Sequence, residues 1–179
     1  FPFATVEPNL NVRRAALLAG PVGSQRPLAC QGAEQFPEAR CNVSAIKIAT
    51  TQAELEAIHR FRYDVSVHEL CRTGGYIDHT TGQLRHPLDQ TGVNIAAFDG
   101  GRIIGAVRQN YGPAVRFGAL ASFYSIADGV AAAEAYVVIT TGLMVTARER
   151  GRITGTRLAC AAYAHALERN IRCGYIDCI

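Results

Sequence analysis

The stretch from Ala135 to Cys178 reads AYVVITTGLMVTARERGRITGTRLACAAYAHALERNIRCGYIDC, and its order of elements decides the fold. It opens with a β-branched apolar run, Val137-Val138-Ile139, that extends to Val145. A basic, glycine-bearing turn follows from Arg148 to Gly155. An alanine-rich helical segment then runs from Thr156 to about Arg169, and a last apolar run covers Ile171 to Cys178. Strand, basic loop, helix and strand form a βαβ order, which predicts a parallel pair joined by a right-handed crossover. The start of the middle helix carries free N–H groups and a partial positive charge. With Arg148, Arg150 and Arg152 beside it, that end suits an anion such as a phosphate.

These residues resemble the GCN5-related N-acetyltransferase fold. Its signature is a strand ending in a Leu-x-Val-like stretch, then Arg/Gln-x-x-Gly-x-Gly/Ala opening a helix. Here the corresponding residues are Leu143-Met144-Val145, then Arg150-Gly151-Arg152-Ile153-Thr154-Gly155. Arg150 and Gly155 match, whereas Ile153 stands where the first glycine belongs. The resemblance implies an α/β (α+β) domain with a mixed central sheet and helices on both faces. It also implies a thioester donor, acyl-CoA or acyl-phosphopantetheine. The donor's arm would lie against Leu143, Met144 and Val145, and its phosphate against Arg150, Gly151, Arg152, Gly155 and Thr156. The wider fold continues with a further helix and strand pair. The sequence stops at Ile179, so it is expected either to be a piece of a longer chain or to be completed by a protein partner.

Length and composition are consistent with one such domain. The 179 residues are 49% hydrophobic and 18% charged, a balance that describes a globular protein with a real core. A net charge of +3 without a dense Lys/Arg run argues against nucleic acid as partner. No apolar run reaches membrane-spanning length. The six cysteines, at 30, 41, 71, 160, 173 and 178, form no CxxC pair and no Cys/His set with zinc-ligand spacing, so no metal is expected. Cys160 reads as a small apolar helix residue. Reduced thiols and a cytoplasmic location are the expectation.

Residues 1–44 are broken by Pro2, Pro8, Pro21, Pro27 and Pro37 and by Gly20, Gly23 and Gly32, and read as an extended arm with at most a short helix near Val12–Ala19. The domain is expected over 45–179. Ala45–Ala49 alternates as a first strand. Thr51 with Glu54 is a capping box that opens a helix running to about Leu70. Leu55, Ile58 and Val65 share one stripe of it, and Arg62 and Glu69 fall on that same stripe at 100° per residue. Buried charge is costly unless it is paired or serves a site, so both residues stand out, unless the helix bends or ends before Glu69 and leaves it in water. Cys71–Gly92 reads as a long loop, a form often used for function. Asn94–Phe98 and Arg102–Asn110 read as a hairpin, with Ile104, Ala106 and Arg108 on one face. A further helix is expected around Ala119–Ala127. The Thr156–Arg169 helix is expected to bury Ala159, Ala162, Tyr163, Ala166 and Leu167 and to expose Arg157, His165, Glu168 and Arg169.

A second resemblance spans most of the domain. Arg62-Tyr63-Asp64-Val65, Glu69-Leu70, Tyr76-Ile77-Asp78-His79, Pro87-Leu88-Asp89 and Gly101-Arg102-Ile103-Ile104-Gly105-Ala106-Val107-Arg108, in that order, resemble the N-terminal half of the N-acyl amino acid synthases. These are relatives of the autoinducer (acyl-homoserine-lactone) synthases. The likeness implies transfer of an acyl group from an acyl carrier protein or CoA thioester to the amine of a small molecule. Arg62 or Arg108 would hold an acceptor carboxylate, Glu69 would serve as base or amine anchor, and Asp78 and Asp89 would order the covering loop. Where the autoinducer synthases place an acidic residue and an arginine on the strand before the thioester loop, this chain has Ile139 and Gly142. Three readings stay open: a long-chain N-acyltransferase, an acetyl-CoA-dependent N-acetyltransferase, and a non-catalytic binding or structural subunit of the same fold.

Overall fold

The computed structural model describes residues 43–112, 117, 123–124 and 137–176. The arm, residues 1–42, and most of the helix expected around Ala119–Ala127 lie outside the described residues. Strand β1 (Ala45–Ile48) leads through Thr51 into α1 (Gln52–Tyr63). The capping box forms as the sequence predicts: Glu54 N–H donates to Thr51 Oγ1, and Thr51 N–H donates to Glu54 Oε2 at 3.0 Å. The helix does not stay in α phase. Its last turns, Asp64–Glu69, widen into a π-helix, with Leu70 N–H bonded to Val65 O. One extra residue per turn swings Glu69 out of the buried stripe while Arg62 remains in it.

The long loop carries a miniature hairpin, β2 (Ile77–Asp78) with β3 (Gln83–Leu84), and a 3₁₀ turn at Pro87–Asp89. Then come β4 (Val93–Asp99), β5 (Arg102–Tyr111), β6 (Val137–Val145), α2 (Ile153–Glu168) and β7 (Cys173–Ile176). The β4–β5 turn uses Gly100 and Gly101, both at positive φ, as a two-residue hairpin turn demands. The main sheet has the order β1-β4-β5-β6-β7. Its first three pairings are antiparallel and the last, β6 with β7, is parallel, as the βαβ order requires.

The helices cover opposite faces. On one, Ile58 and Phe61 of α1 and Val65 of the π-helical turn pack on Ala96 and Ala106. On the other, Leu158 and Ala162 of α2 pack on Ile95, Ala97 and Val107. Two bulges re-aim side chains between these layers. One lies in β5, where Ala97 pairs with Gly105 but Phe98 with Ile103. It turns Ile104 to the α2 face, so only Ala106 and Arg108 of the expected trio share a face.

The α2 helix also differs from its reading. It starts at Ile153 instead of Thr156, and its buried line is Thr154, Leu158, Ala162 and Ala166. Tyr163 and Leu167 are exposed, and Cys160 is exposed with them. His165, expected in water, is half-buried between Tyr111 Oη at 2.5 Å and Gln109 Oε1 at 3.2 Å. With alanines on several sides of the helix, its one large buried leucine sets the phase.

Candidate functional site

The second bulge shapes the site. Ala106 of β5 pairs with Met144 and Arg108 with Thr141, so β6 holds Gly142 and Leu143 opposite Val107 alone. Gly142 takes a φ of +63°, a left-handed conformation open to glycine at little cost. Pairing of β6 with β7 reaches Thr140 opposite Ile176, and β6 runs on to Val145. Accordingly Val137–Thr141 are buried, whereas Leu143, Met144 and Val145 are half-buried. Leu143 and Val145 lean towards α2, and Met144 towards α1.

Beneath the bulge, on the α1 face, lies a buried polar cluster. Asp89 is its hub. Its Oδ1 accepts from Arg62 Nη1 at 2.6 Å and from Arg108 Nη1 at 3.1 Å. Its Oδ2 accepts from His86 N–H at 2.8 Å, and His59 Nε2 stands 3.3 Å away. Arg62 Nη2 donates to Asn94 Oδ1, and Arg108 donates to Asn110 Oδ1 and Thr141 Oγ1. Burial alone would raise the Asp89 carboxyl. The His59 contact and the charges of Arg62 and Arg108 outweigh it and hold the group well below the usual carboxylate range. Burial, with Arg62 nearby, pulls Arg108 below its ordinary value. Two guanidiniums against one carboxylate leave the cluster cationic. Arg62 Nε is buried without a hydrogen-bond partner, and a Cβ placed on Gly142 would stand 4.0 Å from it. The Arg62 head therefore lies directly under the bulge.

The turn after β6 supplies the second half of the site. A 3₁₀ turn, Ala147–Glu149, leads through Gly151 at φ +75° into α2. Arg150 forms an ion pair with Glu69, which joins the end of the π-helix to this turn. Glu149 is buried and accepts from Thr154 Oγ1 at 2.6 Å, while Arg152 approaches it at 3.6 Å. Arg148 and Arg152 are exposed. Ile153, Gly155 and Thr156 all lie in the first turn of α2, and the Ile153 side chain is exposed. This helix start offers N–H groups and arginines to an anion, but Glu69 and Glu149 already neutralise part of that charge.

The structure thus gathers the nominated residues into two groups, Arg62 with Arg108 below the bulge, and Glu69 with Arg150, Gly151, Arg152, Gly155 and Thr156 at the turn. Sequence reasoning passed over His59, Asn94, Asn110, Thr141 and Glu149. Asn94 and Arg108 are direct cross-strand partners, and polar residues facing each other inside two apolar strands are the signal that could have found them.

No protein-family profile and no curated protein matches the chain. Solved structures do. A CoA-dependent acyl-homoserine lactone synthase, BjaI, described with SAM and isopentyl-CoA, aligns at a TM-score of 0.53 and 17% identity, over 67% of this chain and 57% of its own. TofI, in a ternary complex with an inhibitor and MTA, aligns at 0.54 and 21%, over 71% and 68%. An acetyltransferase of the GNAT family from Staphylococcus aureus Mu50 aligns at 0.49 and 15%, over 75% of each chain. The chain shares with these synthase structures a mixed α/β fold, a five-stranded mixed sheet with helices on both faces, consistent with a GNAT-like fold. At such identities the likeness is one of fold, and the chain spans little more than half of BjaI.

Proposed function

We propose that this chain is an N-acyltransferase, moving an acyl group from a CoA or acyl-carrier-protein thioester to the amine of an amino acid or similar small molecule. The observation that carries the reading is the parallel β6–β7 pair with a bulge at Gly142–Leu143, running into an arginine-bearing helix start. The donor phosphate sits at Arg150, Arg152 and the first turn of α2, and the pantetheine arm runs along Val145, Met144 and Leu143. The thioester carbonyl reaches the bulge, where backbone N–H groups freed from the ladder take the developing oxyanion.

The amine nitrogen must be neutral to attack the thioester carbon. Attack forms the C–N bond, the C–S bond breaks, the nitrogen loses a proton and the leaving thiolate gains one. Glu69, on the rim beside Arg150, is the group we assign to anchor the amine or take its proton. Arg62 Nε, the donor without a partner beneath Gly142, is assigned to an oxygen of the acceptor carboxylate. Arg108 supports it by sharing Asp89. The free thiols of Cys71, Cys160 and Cys173 fit a reducing compartment, and we place the protein in the cytoplasm. Among the described residues, no helix is long and apolar enough to cross a membrane.

Incubation with acyl-CoA and acyl-carrier-protein thioesters of graded chain length and a panel of amino acids, read by mass spectrometry, tests this reading. N-acyl products from long chains support it, and products from acetyl-CoA alone replace it with acetyl transfer. No product from any thioester would favour the non-catalytic reading, to which the pairing of Arg150 with Glu69 and of both buried arginines with Asp89 lends support.

A further inference from the structure

Three alanines open a slot beneath α1. Ala57 lies on the helix, Ala96 on β4 and Ala49 just after β1, and a cavity of about 300 Å³ remains between them. Protein interiors leave few voids larger than a water molecule, so a space of this size suits a ligand. Its lining is apolar, with Ile58, Phe61 and Val65 on one side and Ala96, Phe98 and Ile103 of the sheet on the other. Ile48 also lines it and is 41% exposed. Among the described residues, no buried polar atom left without a hydrogen bond belongs to a lining side chain. Nothing in the slot therefore calls for water, and an apolar body fits it. About ten water molecules would occupy that volume, and a methylene needs about as much room as a water, so a chain of roughly eight to ten carbons fills it.

The charges on the rim indicate the head group. Glu54, Asp64 and Glu69 are its acids, and Lys47, Arg60 and Arg102 its cations. Glu54 Oε2 is held by the N–H groups of Thr50 at 2.9 Å and Thr51 at 3.0 Å, and Glu69 is paired with Arg150. Asp64 is exposed, with His68 at 4.0 Å. Among the described residues, Lys47, Arg60 and Arg102 have no carboxylate within ion-pairing distance. Lys47 Nζ stands 5.7 Å from the centroid of the Phe98 ring, so the ammonium sits beside the apolar lining. An acidic head therefore meets unpaired cations, whereas an amine would compete with Thr50, Thr51 and Arg150 for the carboxylates.

We propose that this slot binds a linear carboxylate of medium chain length, its tail between α1 and the β4–β5 hairpin and its head at Lys47. The site lies beside the thioester path and stands without the transfer reaction, since binding is read with no thioester present. Octanoate is the probe. Lys47 is the one lysine of the chain, so reductive methylation of the full chain with isotope-labelled formaldehyde marks only Lys47 and the terminal amine and keeps both charged. The NMR signal of methylated Lys47 should move saturably with octanoate while that of the terminal amine stays. Octanol, which lacks the charge, should bind about tenfold more weakly, and butyrate, which lacks most of the tail, more weakly still. Ala57→Leu keeps a good helix former and grows into the slot. It should weaken octanoate by about tenfold or more without lowering the melting midpoint. Should that variant fail to fold, the location is read in the unaltered chain from nuclear Overhauser contacts between the octanoate methylenes and the methyl groups on Lys47. A Lys47 signal that does not shift saturably would overturn the proposal. So would octanol binding as tightly as octanoate, a folded Ala57→Leu that binds unchanged, or the absence of those Overhauser contacts.

Discussion

Changing Asp89 to Asn keeps its shape and removes its charge, which isolates what the carboxylate does for its two arginines. Arg62 and Arg108 would then face an amide in a space that is almost closed to water. Breaking a buried pair by removing one partner costs about 3–5 kcal/mol, because the surviving charge stays buried. A urea melt of Asp89→Asn should show a loss of that order, and a loss below about 1 kcal/mol would mean that water reaches the cluster. Arg150 makes the opposite case, since its head is partly in water and its partner Glu69 is on the rim. Arg150→Ala should leave the melt nearly unchanged and weaken thioester binding by on the order of 1–3 kcal/mol, measured by titration with a non-hydrolysable acyl-CoA analogue. Unchanged affinity would move the phosphate elsewhere. Part of this was legible in the chain. Arg62 and Arg108 stood out as charges on apolar positions, and Arg150 matched a motif. Asp89 could be read only as a loop residue, because its partners lie 27 and 19 positions away and no local pattern links them.

At the scale of elements, the contact between α2 and the sheet depends on small residues. A Cβ on Gly105 would stand 2.7 Å from Leu158 Cδ1, 3.1 Å from Val145 Cγ1 and 3.2 Å from the Met144 carbonyl oxygen. The leucine can move, but the backbone of β6 cannot do so without disturbing the strand that carries the bulge. Gly105→Ala should therefore destabilise the fold by about 1–3 kcal/mol, the usual range for an overpacked core. Because the strain falls on Met144 and Val145, acyl transfer should decline as well. A stability loss with unchanged activity would separate the core from the site. The β4–β5 hairpin and the parallel pair were readable because they follow from turn residues and element order. The phase of α2 was not, since alanines offer no strong preference between faces and the large residues Tyr163 and Leu167 drew the reading outward. A bend that leaves Glu69 in water was one of two readings of the end of α1, but nothing in Asp64–Glu69 announces that it takes the form of a π turn.

For the molecule as a whole, acid should act through the loop that closes over the cluster. His86 Nδ1 accepts the Leu88 N–H at 3.1 Å, and His86 N–H donates to Asp89 Oδ2, so this turn holds only while the imidazole is neutral. Burial, with a further push from Arg108, lowers the His86 pKa from 6.5 to about 4. A histidine with a depressed pKa binds fewer protons folded than unfolded between those two values. Stability in that window therefore rises with pH and is lost as pH falls from about 6.5 towards about 4. Asp89 has a lowered folded pKa too, and its contribution is present above the ordinary carboxylate range and is lost only at stronger acidity. The two groups thus act in sequence on the same loop, the histidine first. His86→Asn keeps a side-chain acceptor for the turn but has no proton to gain. Thermal melts of both proteins from pH 7 to 4.5 should show a falling midpoint for the unaltered chain and a flatter line for the variant, so that acid shifts the balance in the variant's favour. Parallel lines would assign the acid sensitivity to another group and leave the loop closed by Asp89 alone.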